Sequence, residues 1–581
     1  MPDEPRWIAT PHLRPDHRGP VERPYTPFVD PAAAPPIVEM LRTLARERPA
    51  SSAVESGGAT TSHAGLWRAV CRLARRIATA DPSLRPVAIL LPASVGYVAT
   101  VYACLAAGRI CVLLDDTYPD ARNALIAART GAGLVVCTPE RAAVPAWPGV
   151  AWLALDAHAN PLDRDAGVEE VPEKPALRLD DPAFILCTSG SSGEPKPIVH
   201  SQRTLLHWAR TTHDALHVRA DDRVLSLSSL SSLGGFTGLL NFGLAGVCLQ
   251  MLDLKAGGLS GLLDTLTTRP VTILRAAPSL LRSLARLPEA SRAFAGLRAV
   301  QTYGEPLLKA DLAEWRPVLP AACRVRGTYG STEASGLSWF AGDDDDHDPV
   351  RVAAGVLMPD TLAAIVDDAG RDCPRGEPGE LWIRSRYNAL GEWSDGRMVA
   401  GRLVPHRSGD GSRVYRTGDI ARCHADGVFV VLGRADRMAK VNGQRLEPSE
   451  IEGVLRGHAA VAEAEVVMQA ALPVAFVVAR ADAPADLVAM LRSHAAVAEA
   501  EVVMHAALPI AFVVGRPGAP AELVAALRAL LRSTLPAFMM PSRIVPIDAM
   551  PRLPGGKVDA LALARIAAGP PPAGEPAVRP S

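Results

Sequence analysis

The chain has 581 residues, with 61 Lys and Arg against 62 Asp and Glu, 48% hydrophobic residues and 21% charged. That length exceeds one ordinary domain, the composition excludes wholesale disorder, and a net charge of −1 gives no electrostatic reason to expect a nucleic-acid or membrane-surface partner. Nine scattered cysteines without a CxxC pair argue against a disulfide scaffold or zinc module and suit a reducing cytoplasm.

In chain order, residues 1–36 form a Pro/Arg/Asp-rich N-terminal extension, and Met1–Glu22 lacks the apolar run of a signal peptide. Leu66–Ala78 predicts an amphipathic helix, and Val87–Leu91, Leu134–Cys137 and Val271–Leu274 predict buried strands. Tyr97–Leu114, interrupted by Arg109, and Gly234–Leu252, which holds Asn241 and Gln250, each read as a buried helix running into a buried strand rather than a membrane span. Helix and strand alternating at this spacing predict an α/β fold, with a large N-terminal domain of mixed and parallel sheets flanked by helices over 37–434. Asp343–Asp346, with His347 and Asp348, reads as a solvated acidic loop, since carboxylates adjacent on one loop do not converge on a metal.

A small α+β domain is expected over 435–563. Within it residues 458–493 are repeated at 494–529, with 28 of 36 positions identical. Each copy reads as two strands, Glu465–Met468 and Ala475–Val478 or Glu501–Met504 and Ala511–Val514, then a helix through Leu487–Leu491 or Leu523–Leu527. Two copies are too few for a solenoid, so a tandem duplication is the simplest reading. The Ala/Pro/Gly-rich residues 564–581 read as a disordered tail.

Five short segments carry chemistry. Thr188-Ser189-Gly190-Ser191-Ser192-Gly193-Glu194-Pro195-Lys196 follows the apolar run Ala183–Leu186. Small and hydroxylated residues after a buried strand let backbone N–H groups converge on phosphate oxygens, and Lys196 adds a charge. Prolines on both sides of Lys196 exclude a Walker A loop, and a flexible Ser/Gly loop is the bland alternative. Gly327-Thr328-Tyr329-Gly330-Ser331-Thr332-Glu333 could serve a phosphate and its Mg²⁺, or be an ordinary turn with a cap at Thr332. Tyr415-Arg416-Thr417-Gly418-Asp419 offers a carboxylate for two ribose hydroxyls, or a salt-bridged turn. The fourth runs from Gly433-Arg434-Ala435-Asp436 to Glu447, and the fifth is Pro554-Gly555-Gly556-Lys557-Val558-Asp559.

In this order the five segments resemble the adenylate-forming superfamily: acyl-CoA synthetases, luciferases and the adenylation domains of nonribosomal peptide synthetases. The resemblance runs from about Leu41 to Leu563. Thr61–Ala78, Tyr303-Gly304-Glu305-Pro306-Leu307, Gly379-Glu380-Leu381 and Leu535–Pro541 fit as well, and Leu113–Arg122 is similar to the LDPxYPxxR motif of the peptide-synthetase branch. The resemblance implies a large domain and a small mobile one hinged at Asp436, with ATP and Mg²⁺ as cofactors. It implies that residues 188–196 hold the β- and γ-phosphates, Tyr329 stacks on adenine with Gly330 beside it among the cofactor-binding residues, and Thr332 contacts the α-phosphate. It further implies that Glu333 holds Mg²⁺, Asp419 binds ribose with Arg434 nearby, and Lys557 bridges the substrate carboxylate and the α-phosphate.

The pocket candidates are Leu233, Gly234, Phe236, Thr302, Tyr303 and Thr328. Peptide-synthetase domains place an Asp where Leu233 or Gly234 stands here, and no carboxylate near them in sequence could pair a buried ammonium. A free α-amino acid is therefore disfavoured against a fatty, aryl, 2-oxo or 2-hydroxy acid. Only the tail follows Leu563, so the accepting thiol is expected in trans, from a carrier protein or from CoA. The favoured reading is a monomeric, cytoplasmic, stand-alone adenylation enzyme of secondary metabolism, with no nucleic acid or membrane partner. The alternatives are an acyl- or aryl-CoA ligase, and a non-catalytic nucleotide-binding paralogue or scaffold with the repeat as its interaction surface.

Overall fold

The computed structural model describes residues 5–10, 12–20, 35–143, 147–155, 177–189, 195–252, 254–342, 345–394, 396–435 and 562, with further strand segments at 439–441, 444–446, 461–469, 472–479 and 543–546. The segments 190–194, 436–438 and 547–561 lie outside the described residues. So do five expected site residues, Gly190, Ser191, Ser192, Gly193 and Lys557, the expected hinge Asp436, and the repeat's helices.

Helix α1 (His63–Ala80) begins where the Ser62 side chain accepts from the Gly65 amide at 3.2 Å, an N-cap. Leu66, Val70, Leu73 and Ile77 recur at helical spacing and are buried. Each fully buried aliphatic side chain contributes roughly 1.5–3 kcal/mol. Strands β1 (Val87–Leu90), β2 (Cys111–Leu113), β3 (Leu134–Cys137), β4 (Pro182–Ser189) and β5 (Pro195–Ser201) form the middle of one sheet, eight-stranded among the described residues. Between β1 and β2 a helix, Val95–Ala106, is buried on every side, as Tyr97–Leu114 led us to expect. Arg109, fully buried, pairs with Asp81 at 2.8 Å and donates to the Asp81 carbonyl at 2.6 Å, so its charge does not break the core.

A second sheet, nine-stranded among the described residues, is built on β6 (Arg223–Ser226), β7 (Cys248–Met251), β8 (Ile273–Ala276), β9 (Ala299–Tyr303), β10 (Arg324–Gly330) and β11 (Ser335–Phe340). Helix α2 (Leu233–Gly243) precedes β7, as the run Gly234–Leu252 predicts. Strands β6 to β10 are parallel, and β11 returns antiparallel to β10. The expected strand Val271–Leu274 lies two residues later. Arg275 ends the apolar run in sequence, yet it is buried and belongs to the strand. A third sheet holds β12 (Gly379–Ser385), β13 (Arg413–Cys423) and β14 (Phe429–Arg434), all antiparallel. Among the described residues no helix is long and apolar enough to cross a membrane.

The N-terminal extension meets the body directly, and the acidic loop departs from expectation. The N-terminal extension is stitched to the body: Ile8 and Ala363 exchange backbone hydrogen bonds at 2.7 and 3.0 Å, and His217 pairs with Asp16 at 3.1 Å. The acidic loop is not solvated at Asp345 and Asp348, which are buried. Asp345 accepts from the Ala353 amide and bonds His347, while Asp348 accepts from the Val350 and Arg351 amides and pairs with Arg422. Loop amides and nearby cations satisfy the carboxylates in place of water.

Candidate active site

Strand β10 runs out through Thr328, Tyr329 and Gly330 into a tight turn. The Ser331 amide donates to the Ala334 carbonyl at 2.7 Å, and the Ser331 hydroxyl accepts from the Glu333 and Ala334 amides at 3.2 and 3.3 Å. A Cβ on Gly330 would stand 2.9 Å from the Ala334 carbonyl oxygen, so glycine lets the turn close. Thr332 and Glu333 are half-buried on it. The Ala389 amide donates to the Glu333 carbonyl at 2.8 Å, tying the turn to the segment after β12. His200 of β5 is fully buried against the Thr332 main chain, and burial drives its imidazole down to about 3, so it stays neutral. Tyr415 of β13 lies beside Glu333 and Ser331. Burial first, then the Glu333 charge, push its phenol above the ordinary tyrosine value.

Asp419 comes to the same place from β13. Gly418 before it adopts φ +71°, and a Cβ there would press on the Arg434 guanidinium at 3.1 Å. Asp419 and Arg434 are register partners on β13 and β14, with Arg434 Nη1 3.4 Å from Asp419 Oδ1 and 2.8 Å from the Thr417 carbonyl. The Tyr329 hydroxyl donates to Asp419 Oδ2 at 2.5 Å. Burial, and then the adjacent carboxylate, hold the Tyr329 phenol well above its ordinary value, so it remains a donor. Residues 90 apart in sequence thus meet: an aromatic ring, a carboxylate and a guanidinium, beside a turn bearing a hydroxyl and a second carboxylate.

The segment 188–196, read as a loop, is mostly strand in its described part. Thr188 and Ser189 end β4, Pro195 and Lys196 open β5, and Thr188 pairs with Lys196 and Ser189 with Pro195. The strands flanking the Ser/Gly stretch therefore run further than composition suggested.

Of the pocket candidates, Tyr303 and Thr328 are register partners on β9 and β10. The Tyr303 ring rests on Gly234, where a Cβ would fall 2.2 Å from it, and Leu233 precedes Gly234 at the start of α2. The Tyr303 hydroxyl donates to Ser228 at 3.0 Å. Phe236 instead packs against Phe184 at 4.9 Å in the core. Thr302, next to Tyr303 on β9, points to the opposite face of the sheet and is buried.

Several residues escaped sequence reasoning. Asp115, in the LDPxYP-like segment, is buried and holds the turn before α2. Its Oδ2 accepts from Ser229 and Ser231 at 2.5 and 2.9 Å, and its Oδ1 accepts from the Thr117 amide and hydroxyl at 2.8 and 2.6 Å. A carboxylate therefore does approach the start of α2, though hydroxyls and an amide already occupy it. The motif marked the segment without revealing this contact.

The AMP-binding enzyme family model matches residues 41–393, and the AMP-binding enzyme C-terminal domain model matches 489–557. Isonitrile lipopeptide synthase of Streptomyces coeruleorubidus is 28% identical over 551 residues, covering 92% of this chain and 34% of that protein. Pyochelin synthetase PchE of Pseudomonas aeruginosa is 31% identical over 395 residues, covering 66% and 26%. The chain spans about a third or less of the length of these relatives. Among solved structures, an anthranilate CoA ligase in complex with anthranoyl-AMP superposes with a TM-score of 0.73 at 19% identity, covering 92% of this chain and 97% of that one. A four-domain nonribosomal peptide synthetase bound to AMP and glycine gives 0.74 at 21%, covering 95% and 37%; both likenesses are of fold. With the family model spanning more than half its length, the chain belongs to the AMP-binding enzyme family.

Proposed function

We propose that this chain activates a carboxylic acid with ATP as the acyl-adenylate and passes the acyl group to the pantetheine thiol of a separate carrier protein, in a nonribosomal-peptide-like pathway of the cytoplasm. The observation that carries the reading is the meeting of Tyr329, Asp419 and Arg434 beside the Thr332–Glu333 turn. A carboxylate oxygen attacks the α-phosphorus in line, the new C–O–P linkage forms, and the bond to pyrophosphate breaks. The nucleophile is weak and the reactants are anions, so catalysis is mainly positioning and charge neutralisation.

In this reading Tyr329 borders the adenine, Asp419 accepts from the ribose hydroxyls, and Arg434 holds that carboxylate in place. Thr332 donates to the α-phosphate. The Thr332 hydroxyl and Glu333 carboxylate are hard oxygen donors of the kind Mg²⁺ takes, and the metal would offset phosphate charge when bound. Lys196 and residues 188–193 would hold the outer phosphates, and Lys557 would bridge the two reacting anions. The small domain would hinge at Asp436. The nine cysteines stand outside disulfides, which accords with a reducing compartment.

A second reading, an acyl- or aryl-CoA ligase, is favoured by solved neighbours described as anthranilate CoA and benzoate CoA ligases, each matched along nearly all of its length. ATP–pyrophosphate exchange across a panel of carboxylic acids tests adenylation. Rates with CoA against a holo-carrier protein then separate the two acceptors. No exchange with any acid would sink both.

A further inference from the structure

Three polar side chains form a row across the floor of the second sheet. Arg275 on β8 is the register partner of Gln301 on β9, and Gln301 is the partner of Arg326 on β10. Partners in parallel strands point to one face, so the three share the face of Tyr303 and Thr328, which lie two residues onward. The row therefore sits about 7 Å deeper along the strands than the Tyr303–Thr328 pair. Arg275 and Gln301 are each 3% exposed and Arg326 is 0% exposed.

Neither guanidinium has a carboxylate partner among the described residues. Arg275 donates only to neutral groups: Gln301 Oε1 at 2.9 Å, the Gly234 carbonyl at 2.9 Å and the Thr237 hydroxyl at 3.3 Å. It lies 4.9 Å from the Tyr303 ring centre. Arg326 donates to Ser338 at 3.0 Å, while its Nε and Nη1 are buried without a hydrogen-bond partner. Arg109, the other large fully buried arginine, has Asp81. Burial, then the charge of Arg275, pull Arg326 down to about 9, and burial lowers Arg275 as well. A guanidinium keeps its proton in proteins, so these shifts mark two cations poorly satisfied by their surroundings. The room they occupy is shaped by glycine: a Cβ on Gly238 would fall 2.3 Å from Arg275 Nη1.

Two buried like charges are costly unless an anion joins them. The row continues along β9 and β10 to Tyr303 and Thr328, next to the turn where a carboxylate would be adenylated. We propose that Arg275 and Arg326 determine which acid the enzyme takes, selecting a short acid with a second anionic group, most simply a dicarboxylic acid, whose distal carboxylate lies along the Arg275–Gln301–Arg326 row beneath Tyr303. The inference rests on the adenylation reading above and narrows its substrate. It also gives a reason, independent of Leu233 and Gly234, for rejecting an ammonium group: two cations already stand in the floor.

The test is ATP–pyrophosphate exchange by the full chain with malonate and succinate, their monocarboxylic counterparts propionate and butyrate, and benzoate and alanine. A dicarboxylate should be preferred by about 100-fold in kcat/KM, chiefly through KM. Arg275→Met and Arg326→Met should each lower the dicarboxylate-to-monocarboxylate ratio about 10- to 100-fold, and the Lys variants should recover part of it. Should the Met variants fail to fold, the Lys variants carry the comparison, since losing the planar fork must still lower the ratio. A wild-type preference for a monocarboxylate or for alanine, or a ratio unmoved in folded variants, overturns the assignment of these arginines and leaves adenylation standing. Silence with every acid overturns both.

Discussion

At Asp419 one carboxylate takes the Tyr329 phenol on one oxygen and the Arg434 guanidinium on the other. Asp419→Asn keeps the shape and removes the charge that would bind two ribose hydroxyls. The KM for ATP in exchange should rise about 10- to 100-fold with an unchanged circular dichroism spectrum. A KM within twofold of wild type would remove Asp419 from the nucleotide site. Elsewhere, the His347 ring bonds Asp345 Oδ1 and Asp426 Oδ2, each at 2.8 Å. Burial opposes its proton, but hydrogen bonds to Asp426 and Asp345 prevail and raise it above the ordinary imidazole value. Burial likewise opposes the two aspartates, whose hydrogen bonds with His347 and neighbouring amides still hold them below the ordinary carboxylate range. The raised imidazole stabilises fully below about pH 6.5 and loses that effect as pH rises through its folded value; the depressed carboxylates stabilise above about pH 4 and fade on acidification. The brace is therefore strongest between about pH 4 and 6.5. His200 acts oppositely: depressed to about 3, it stabilises fully above pH 6.5 and less as pH falls. His347→Gln should thus steepen the loss of thermal midpoint on going from pH 7 to 5. A parallel pair of profiles would show that the brace carries no charge.

At the scale of elements, helix α2 depends on the turn before it. The Ser232 side chain caps the helix by accepting from the Gly235 amide at 3.3 Å, and a Cβ on Gly235 would meet the Ser229 carbonyl at 2.2 Å. Asp115 fixes that turn through Ser229 and Ser231. Asp115→Ala leaves three hydroxyls and the Thr117 amide without their acceptor, a cost of about 3 kcal/mol, while Asp115→Asn keeps an acceptor and costs about half as much. Urea midpoints of the two variants read this order directly; equal midpoints would mean the turn holds without Asp115. This joint also marks what sequence can and cannot reveal. Helix α1 was legible because Leu66, Val70, Leu73 and Ile77 keep one face, and β3 was legible as an unbroken apolar run. The approach of Asp115 to Ser229, 114 residues on, and the alignment of Arg275, Gln301 and Arg326 depend on strand register, which no local pattern encodes. A buried arginine even misled the local pattern, ending β8 two residues early.

At the scale of the molecule, the repeat poses a choice. Among the described residues a three-stranded sheet pairs β15 (Val461–Gln469) with β16 (Leu472–Ala479), and β16 runs parallel to β17 (Arg543–Pro546). Both β15 and β16 belong to the first copy, whereas β17 follows the second, which lies outside the described residues. The C-terminal domain model at 489–557 takes in the second copy instead. Val474, Ala475, Phe476 and Val477 pair with Arg543–Pro546, and their counterparts are Ile510, Ala511, Phe512 and Val513. One methylene separates these sets, worth about 0.8 kcal/mol, or roughly a fourfold bias between two placements. Either copy should therefore serve. Deleting 458–493 or 494–529 should leave soluble protein with exchange activity within about threefold of the full chain, and deleting both should abolish folding of the small domain. If only one single deletion survives, the copies are not interchangeable, and the intolerant one holds the native place beside β17.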